Sequence, residues 1–98
     1  MINALINNQW ESVPEKDLQF GSDSFAFGTG LYETFRTLNH KPVFLEPHLD
    51  RLFKSAQTID LTIAFSQNEI VEMIARVVQQ FDDPNQRARI LAVRGKII

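Results

Sequence analysis

Arg51 sits in the run His48-Leu49-Asp50-Arg51-Leu52-Phe53-Lys54-Ser55, where His48, Arg51 and Ser55 are spaced i, i+3 and i+7. On a helix that spacing places the three side chains on one face. The planar guanidinium offers two parallel charge-assisted hydrogen bonds, the geometry that phosphate and carboxylate groups accept. Near the start of a helix the dipole would also favour an anion. The same arginine equally suits an ordinary solvated helix surface, and Asp50 with Lys54 reads as a plain i, i+4 surface pair. The stretch Leu31 to Leu38 alternates differently. If extended, Tyr32, Thr34 and Arg36 share one face and Leu31, Glu33 and Phe35 the other. A phenol, a hydroxyl and a guanidinium two residues apart can hold an anionic ligand, or can form a solvated outer face. Glu33, on the apolar side with Phe35, is either a buried acid with a raised pKa or a carboxylate paired with an arginine or a backbone amide. Pairing is the expectation.

Other chemistry is poorly supported. The chain has no cysteine and two histidines. No histidine–carboxylate cluster stands at ligand spacing, so no metal site is expected. Phe27-Gly28-Thr29-Gly30 contains a G-x-G, but it precedes a strand pattern and not a helix, so it reads as a tight bend and not as a dinucleotide fingerprint.

These residues need elements to hold them. Ala4–Ile6 and Gln9–Val13, joined at Asn7-Asn8, read as a hairpin. Pro14 to Asp17 reads as a polar connection. After the strand at 31–38, a turn at Asn39-His40-Lys41 leads to a returning strand Pro42–Leu45. A helix is expected from Glu46-Pro47, with Pro47 at its first position and Leu49, Leu52, Phe53 and Ala56 as its apolar stripe. Ser66-Gln67-Asn68-Glu69 matches a capping box. It opens a second helix to about Phe81 with a stripe at Ile70, Ile74, Val77, Val78 and Phe81, and Asp82-Asp83-Pro84-Asn85 stops it. Arg87–Arg94 reads as the final strand. The order predicts an α+β fold, a mainly antiparallel sheet with two helices on one face.

The 98 residues make one small domain, 1–98, and the 44% hydrophobic content argues against disorder. Ten basic against twelve acidic residues give a net charge of −2, so nucleic acid and anionic membrane are not expected partners. No apolar run approaches the roughly 18 residues of a spanning helix. The N-terminus does not read as a signal peptide, and with no cysteine a cytoplasmic protein is the simplest expectation. The apolar end Lys96-Ile97-Ile98, directly after a strand, suggests a piece of something longer.

Taken together, Phe27 to Arg36 and His48 to Ala56 resemble the two linked N-terminal motifs of the class IV (fold type IV) pyridoxal-phosphate aminotransferases, a family that includes branched-chain and D-amino acid aminotransferases and aminodeoxychorismate lyase. The hairpin between the motifs, the Asn8-Gln9-Trp10 hairpin and the Ala88–Gly95 strand extend the likeness over nearly the whole chain. The resemblance implies that Arg51 binds the phosphate of pyridoxal 5′-phosphate, that Tyr32 and Arg36 face the substrate, that His48 braces the helix of Arg51, and that Glu33 is structural. It implies amino-acid and 2-keto-acid substrates, a larger C-terminal domain and a homodimer. Transamination needs a Schiff-base lysine. None of Lys16, Lys41, Lys54 and Lys96 matches the family's position for it, which lies in the C-terminal domain, so this chain alone is expected to be inactive. Two alternatives stay open, a lyase of the same family and a non-catalytic binding or assembly module.

Overall fold

The computed structural model describes residues 2–14, 30–93 and 96–98. The glycine–aromatic bend expected at Phe27-Gly28-Thr29 and the connection after Pro14 lie outside these residues, as do Arg94 and Lys16.

Strands β1 (Ile2–Ile6) and β2 (Gln9–Val13) form a two-stranded hairpin, with Ile6 opposite Gln9. Asn7 and Asn8 both have positive φ, 48° and 71°. That is the mirror-image turn whose twist suits a two-residue hairpin, and asparagine tolerates it. A second sheet has four antiparallel strands in the order β4-β3-β5-β6: β3 (Gly30–Leu38), β4 (Lys41–Pro42), β5 (Arg87–Val93) and β6 (Lys96–Ile97). Between β4 and β5 come α1 (Leu45–Thr58) and α2 (Gln67–Gln80). The α+β architecture is therefore as expected.

Three boundaries differ from the sequence reading. The returning strand expected at Pro42–Leu45 shortens to Lys41–Pro42, because Asn39 and His40 (φ 54° and 62°) make a two-residue turn and Phe44 then takes a left-handed conformation (φ 55°, ψ 37°) that turns the chain off the sheet. Helix α1 consequently starts at Leu45, which places Pro47 at its third position and not its first. The ring still sacrifices nothing there, since the amides of a first turn have no partner inside the helix. Lastly, Arg87–Val93 is not the last strand. Lys96–Ile97 returns beside it, with Ile97 opposite Ala92. Ile97 is buried, which gives the apolar end a role in the core.

Both helices contribute to one core. Leu49, Leu52 and Ala56 from α1 meet Ile70, Met73, Ile74 and Val78 from α2, with Phe35, Ile90, Ala92 and Leu5 from the strands. Met73 completes the α2 stripe at i+3 from Ile70, whereas Phe81, expected in that stripe, caps the helix and stays half exposed. The capping box is formed. The Glu69 N–H donates to Ser66 Oγ (3.1 Å), and the Ser66 N–H to Glu69 Oε1 (3.0 Å).

The hairpin is fastened at its turn. Asn7 N–H donates to the Ile97 carbonyl and Ile97 N–H to Asn7 Oδ1, both at 2.9 Å, while Arg76 of α2 donates to the Asn8 carbonyl at 2.9 Å and to Asn8 Oδ1. The loop after α2 is held to the end of β3. Thr37 Oγ1 donates to the Pro84 carbonyl (3.1 Å) and accepts from Gln86 N–H (2.7 Å). These bonds satisfy a threonine that is 4% exposed.

Candidate functional site

Helix α1 lies across β3, and the contact carrying charge is Arg51 on Glu33. Arg51 Nε–H donates to Glu33 Oε1 at 2.7 Å and Nη2–H to Oε2 at 3.0 Å, a two-pronged pair. Glu33 is 7% exposed, while the Arg51 side chain is 66% exposed. The carboxylate is thus seated in the protein, and the guanidinium reaches it from the rim with Nη1 outside these bonds. Hydrogen bonding to Glu33, and then its negative charge, push the Arg51 pKa above the ordinary arginine value, so the guanidinium keeps its proton.

His48 completes the cluster. Its Nδ1 lies 3.3 Å from Glu33 Oε1 and 3.4 Å from Arg51 Nη2. One nitrogen cannot donate to the first and accept from the second at once. Beside a carboxylate the tautomer with hydrogen on Nδ1, donating to Glu33, is the favoured one. The ring also rests against Phe35, with centroids 6.2 Å apart. Glu33 therefore collects the polar atoms of one helix face and pairs with an arginine, the option favoured from the sequence.

Arg51 is the seventh residue of α1, almost two turns in. The helix begins earlier than expected, so the dipole, which acts over the first turn, adds little at this site.

Tyr32 and Arg36 stand on the other face. In β3 the buried residues are Glu33, Phe35 and Thr37, whereas Tyr32 and Arg36 are exposed. The structure brings Arg51 together with Glu33 and His48, and it places Tyr32 and Arg36 across the thickness of the sheet from them. The two faces meet along one line. Leu91 exchanges both backbone hydrogen bonds with Ile98 (2.8 and 2.9 Å), so its amide and carbonyl point away from β3. Its cross-strand neighbour is Tyr32, whose backbone groups consequently point away from β5, as do those of Thr34 and Arg36. Val43 N–H donating to the Arg36 carbonyl at 2.8 Å agrees with this. Strand β4 covers β3 only at Thr37 and Leu38. Among the described residues, no strand pairs with that edge of β3 from Gly30 to Phe35. Arg51 flanks the edge through Glu33 on the helix side, and Tyr32 emerges from the neighbouring residue on the far side.

The register also exposes two residues that the sequence reading passed over. Arg87 lies opposite Arg36, and Arg89 opposite Thr34. The alternation of β5 was visible, but its pairing partner was not. A cavity of about 600 Å³ beside β5, lined by Leu5, Met73, Ile74 and Ile90 among others, touches Arg87 and Arg89 but not Tyr32, Arg36 or Arg51, so it is not a common vessel for the predicted residues. Among the described residues no three histidine, aspartate or glutamate side chains group as a metal site, and no helix is long and apolar enough to cross a membrane.

The α+β domain thus presents a helix-held arginine paired with a strand carboxylate beside an open strand edge. Comparison with known proteins makes the class specific. The profile described as amino-transferase class IV matches residues 30–96, which include β3, α1, α2 and β5, and the chain belongs to that family. It is 32% identical over 94 residues to a D-alanine aminotransferase of Listeria monocytogenes, covering 96% of this chain and 32% of that protein. A D-alanine aminotransferase of Staphylococcus epidermidis is 25% identical over 95 residues, covering 97% of this chain and 34% of the other. Among solved structures, a Legionella pneumophila protein described as a 4-amino-4-deoxychorismate lyase superposes with a TM-score of 0.63 at 28% identity, over 74% of this chain and 28% of its own. The chain thus spans about a third of the length of these curated relatives.

Proposed function

We propose that this chain is the N-terminal domain of a pyridoxal-phosphate enzyme that moves an amino group between an amino acid and a 2-keto acid, and that Arg51 holds the cofactor phosphate. The observation carrying this reading is the Arg51–Glu33 pair at the open edge of β3, on a chain of this family. The side chains fit a phosphate. Glu33 fixes the plane of the guanidinium, the charge is permanent, and Nη1 is not used by the pair. The carboxylate offsets part of the positive charge, so the fit is one of orientation more than of net field.

When bound, the cofactor supplies an electron sink for the substrate's α-carbon. The residues of this chain would bind and orient. Arg51 would anchor the phosphate, Glu33 and His48 would set the pose of Arg51, and Tyr32 and Arg36 would meet the substrate on the far side of the edge. The lysine that handles the proton and the covalent attachment would come from a second, C-terminal domain, and the working enzyme would be a homodimer. The D-alanine aminotransferases among the relatives support a D-amino acid substrate over a branched-chain one.

One observation favours a second reading, carbon–carbon lysis of aminodeoxychorismate, because the solved structure cited above is described as that lyase. The full-length protein distinguishes them. Amino transfer from D-alanine that requires 2-oxoglutarate and yields glutamate supports the first reading. Pyruvate released from aminodeoxychorismate without any keto-acid acceptor supports the second. Neither activity in a protein shown to bind the cofactor would leave the non-catalytic module.

A further inference from the structure

We propose that Thr37 is a positioning residue for the substrate side of the site: its hydroxyl closes the β3–β5 ladder and thereby holds Arg36 in place, separately from the pair that holds Arg51. The inference rests on the reading of Arg36 as a substrate contact and deepens it. Arg36 lies opposite Arg87. Its backbone groups point away from β5, so this pair has no ladder bond of its own and is held by the pairs on either side. On one side stand Phe35 and Ala88. On the other, in the same register, stand Thr37 and Gln86, and there the pairing changes character. Thr37 N–H donates to the Gln86 carbonyl at 2.8 Å in the ordinary way. The Gln86 N–H instead donates to Thr37 Oγ1 at 2.7 Å, so a side-chain oxygen stands where a regular ladder uses the strand's own carbonyl.

The same hydroxyl fixes the residues that lead into β5. It donates to the Pro84 carbonyl at 3.1 Å, and the Gln86 side chain donates to the carbonyls of Val78 (2.9 Å) and Asp83 (2.6 Å). The start of β5 is thus tied to the end of α2. Thr37 is 4% exposed, so little water reaches the hydroxyl's position to replace it. The tie also works against a load. Arg36 and Arg87 are exposed like charges directly opposite one another, and they push this end of the ladder apart. Without the hydroxyl the Gln86 N–H loses its acceptor, and the opposed arginines are held mainly from the Phe35 side. Glu33, which holds Arg51, uses none of these bonds.

The test compares two variants of the full-length protein loaded with pyridoxal phosphate. Thr37→Val keeps the branched shape and removes the hydroxyl, while Thr37→Ser keeps the hydroxyl. Amide exchange is the first readout. In Thr37→Val the Gln86 amide should exchange roughly tenfold faster. The Val43 amide, which donates to the Arg36 carbonyl at 2.8 Å and so reports on Arg36, should also speed up. Thr37→Ser should leave both near the unsubstituted rate. Kinetics is the second readout. In Thr37→Val the KM for whichever substrate the unsubstituted protein turns over should rise roughly fivefold with kcat little changed, as loss of substrate binding requires. Serine should restore it, and cofactor retention should stay unchanged. A loss of cofactor retention that matches the rise in KM overturns the separate hold on Arg36. Faster Gln86 exchange with Val43 exchange and KM unmoved overturns the positioning role. If the unsubstituted protein turns over no substrate, the functional reading fails, and the two amides alone decide whether Thr37 holds Arg36. Should the valine variant not fold, Thr37→Ser against Thr37→Ala isolates the hydroxyl at the same position.

Discussion

Arg51 clasps Glu33 with two hydrogen bonds of 2.7 and 3.0 Å, joining the second turn of α1 to the fourth residue of β3. The arrangement divides the work between a carboxylate that is buried and a guanidinium that is not. Glu33 cannot leave its place without being solvated elsewhere, so it acts as the fixed half and Arg51 as the half that is aimed.

Removing the aimed half is the simplest test. Arg51→Ala in the full-length protein should weaken pyridoxal-phosphate retention by roughly tenfold or more, as loss of a charge-assisted bond does. Equilibrium dialysis of the cofactor measures it. The guanidinium itself should contribute no pH dependence near neutrality. A folded pKa raised above the unfolded value means that the arginine's contribution is fully present below the unfolded pKa and lost only as pH rises through the folded one. That window lies above the ordinary arginine range, so between about pH 5 and 9 the charge is constant. Retention unchanged in the alanine variant would remove Arg51 from the site.

Glu33→Gln tests orientation separately from charge. The amide is nearly isosteric, but it can no longer accept from both Nε and Nη2 of Arg51. Cofactor affinity should fall by a smaller factor than in Arg51→Ala, roughly threefold, even though the substitution leaves the site more positive. A simple electrostatic role for Arg51 predicts the opposite, tighter phosphate binding. The sign of the change decides.

The interior makes a stability prediction. Leu49 is 1% exposed and belongs to the core cluster that also holds Phe35 of β3 and the buried stripe of α2. Leu49→Ala should cost about 2–5 kcal/mol through lost transfer energy and the cavity left behind. Ser66→Ala, which breaks the capping box, should cost about 0.5–2 kcal/mol. Urea unfolding of the two variants under one set of conditions checks both the values and their order.

Phe44 carries backbone strain in plain view. It is a bulky left-handed residue, 75% exposed, that precedes α1 without a side-chain cap. Phe44→Asn should raise stability by about 1 kcal/mol, since asparagine tolerates this conformation and a left-handed bulky residue costs about that much. An unchanged or lower midpoint in thermal unfolding would mean that the phenyl ring makes contacts worth more than the strain.

The sequence by itself determined most local features. Asn7-Asn8 sets the first hairpin because asparagine accepts positive φ, Ser66 and Glu69 mark the start of α2 because each satisfies the other's amide, and the 3.6-residue spacing of Leu49, Leu52 and Ala56 marks the buried stripe of α1. Alternation also separated Glu33 from Tyr32 and Arg36. The motifs around Arg36 and Arg51 pointed to the family. Only the tertiary structure decided what depends on elements distant in the chain. Glu33 and Arg51 are 18 residues apart, and nothing local announces which charged partner a buried carboxylate will take. The opposition of Arg36 to Arg87 follows from the β3–β5 register, fixed by the packing of two helices that lie between those strands in sequence. The early start of α1 arises from the left-handed turn at Phe44, which places Arg51 behind the strand and not beside Tyr32. Periodicity says which face a side chain takes on its own element, and packing alone says what that face meets.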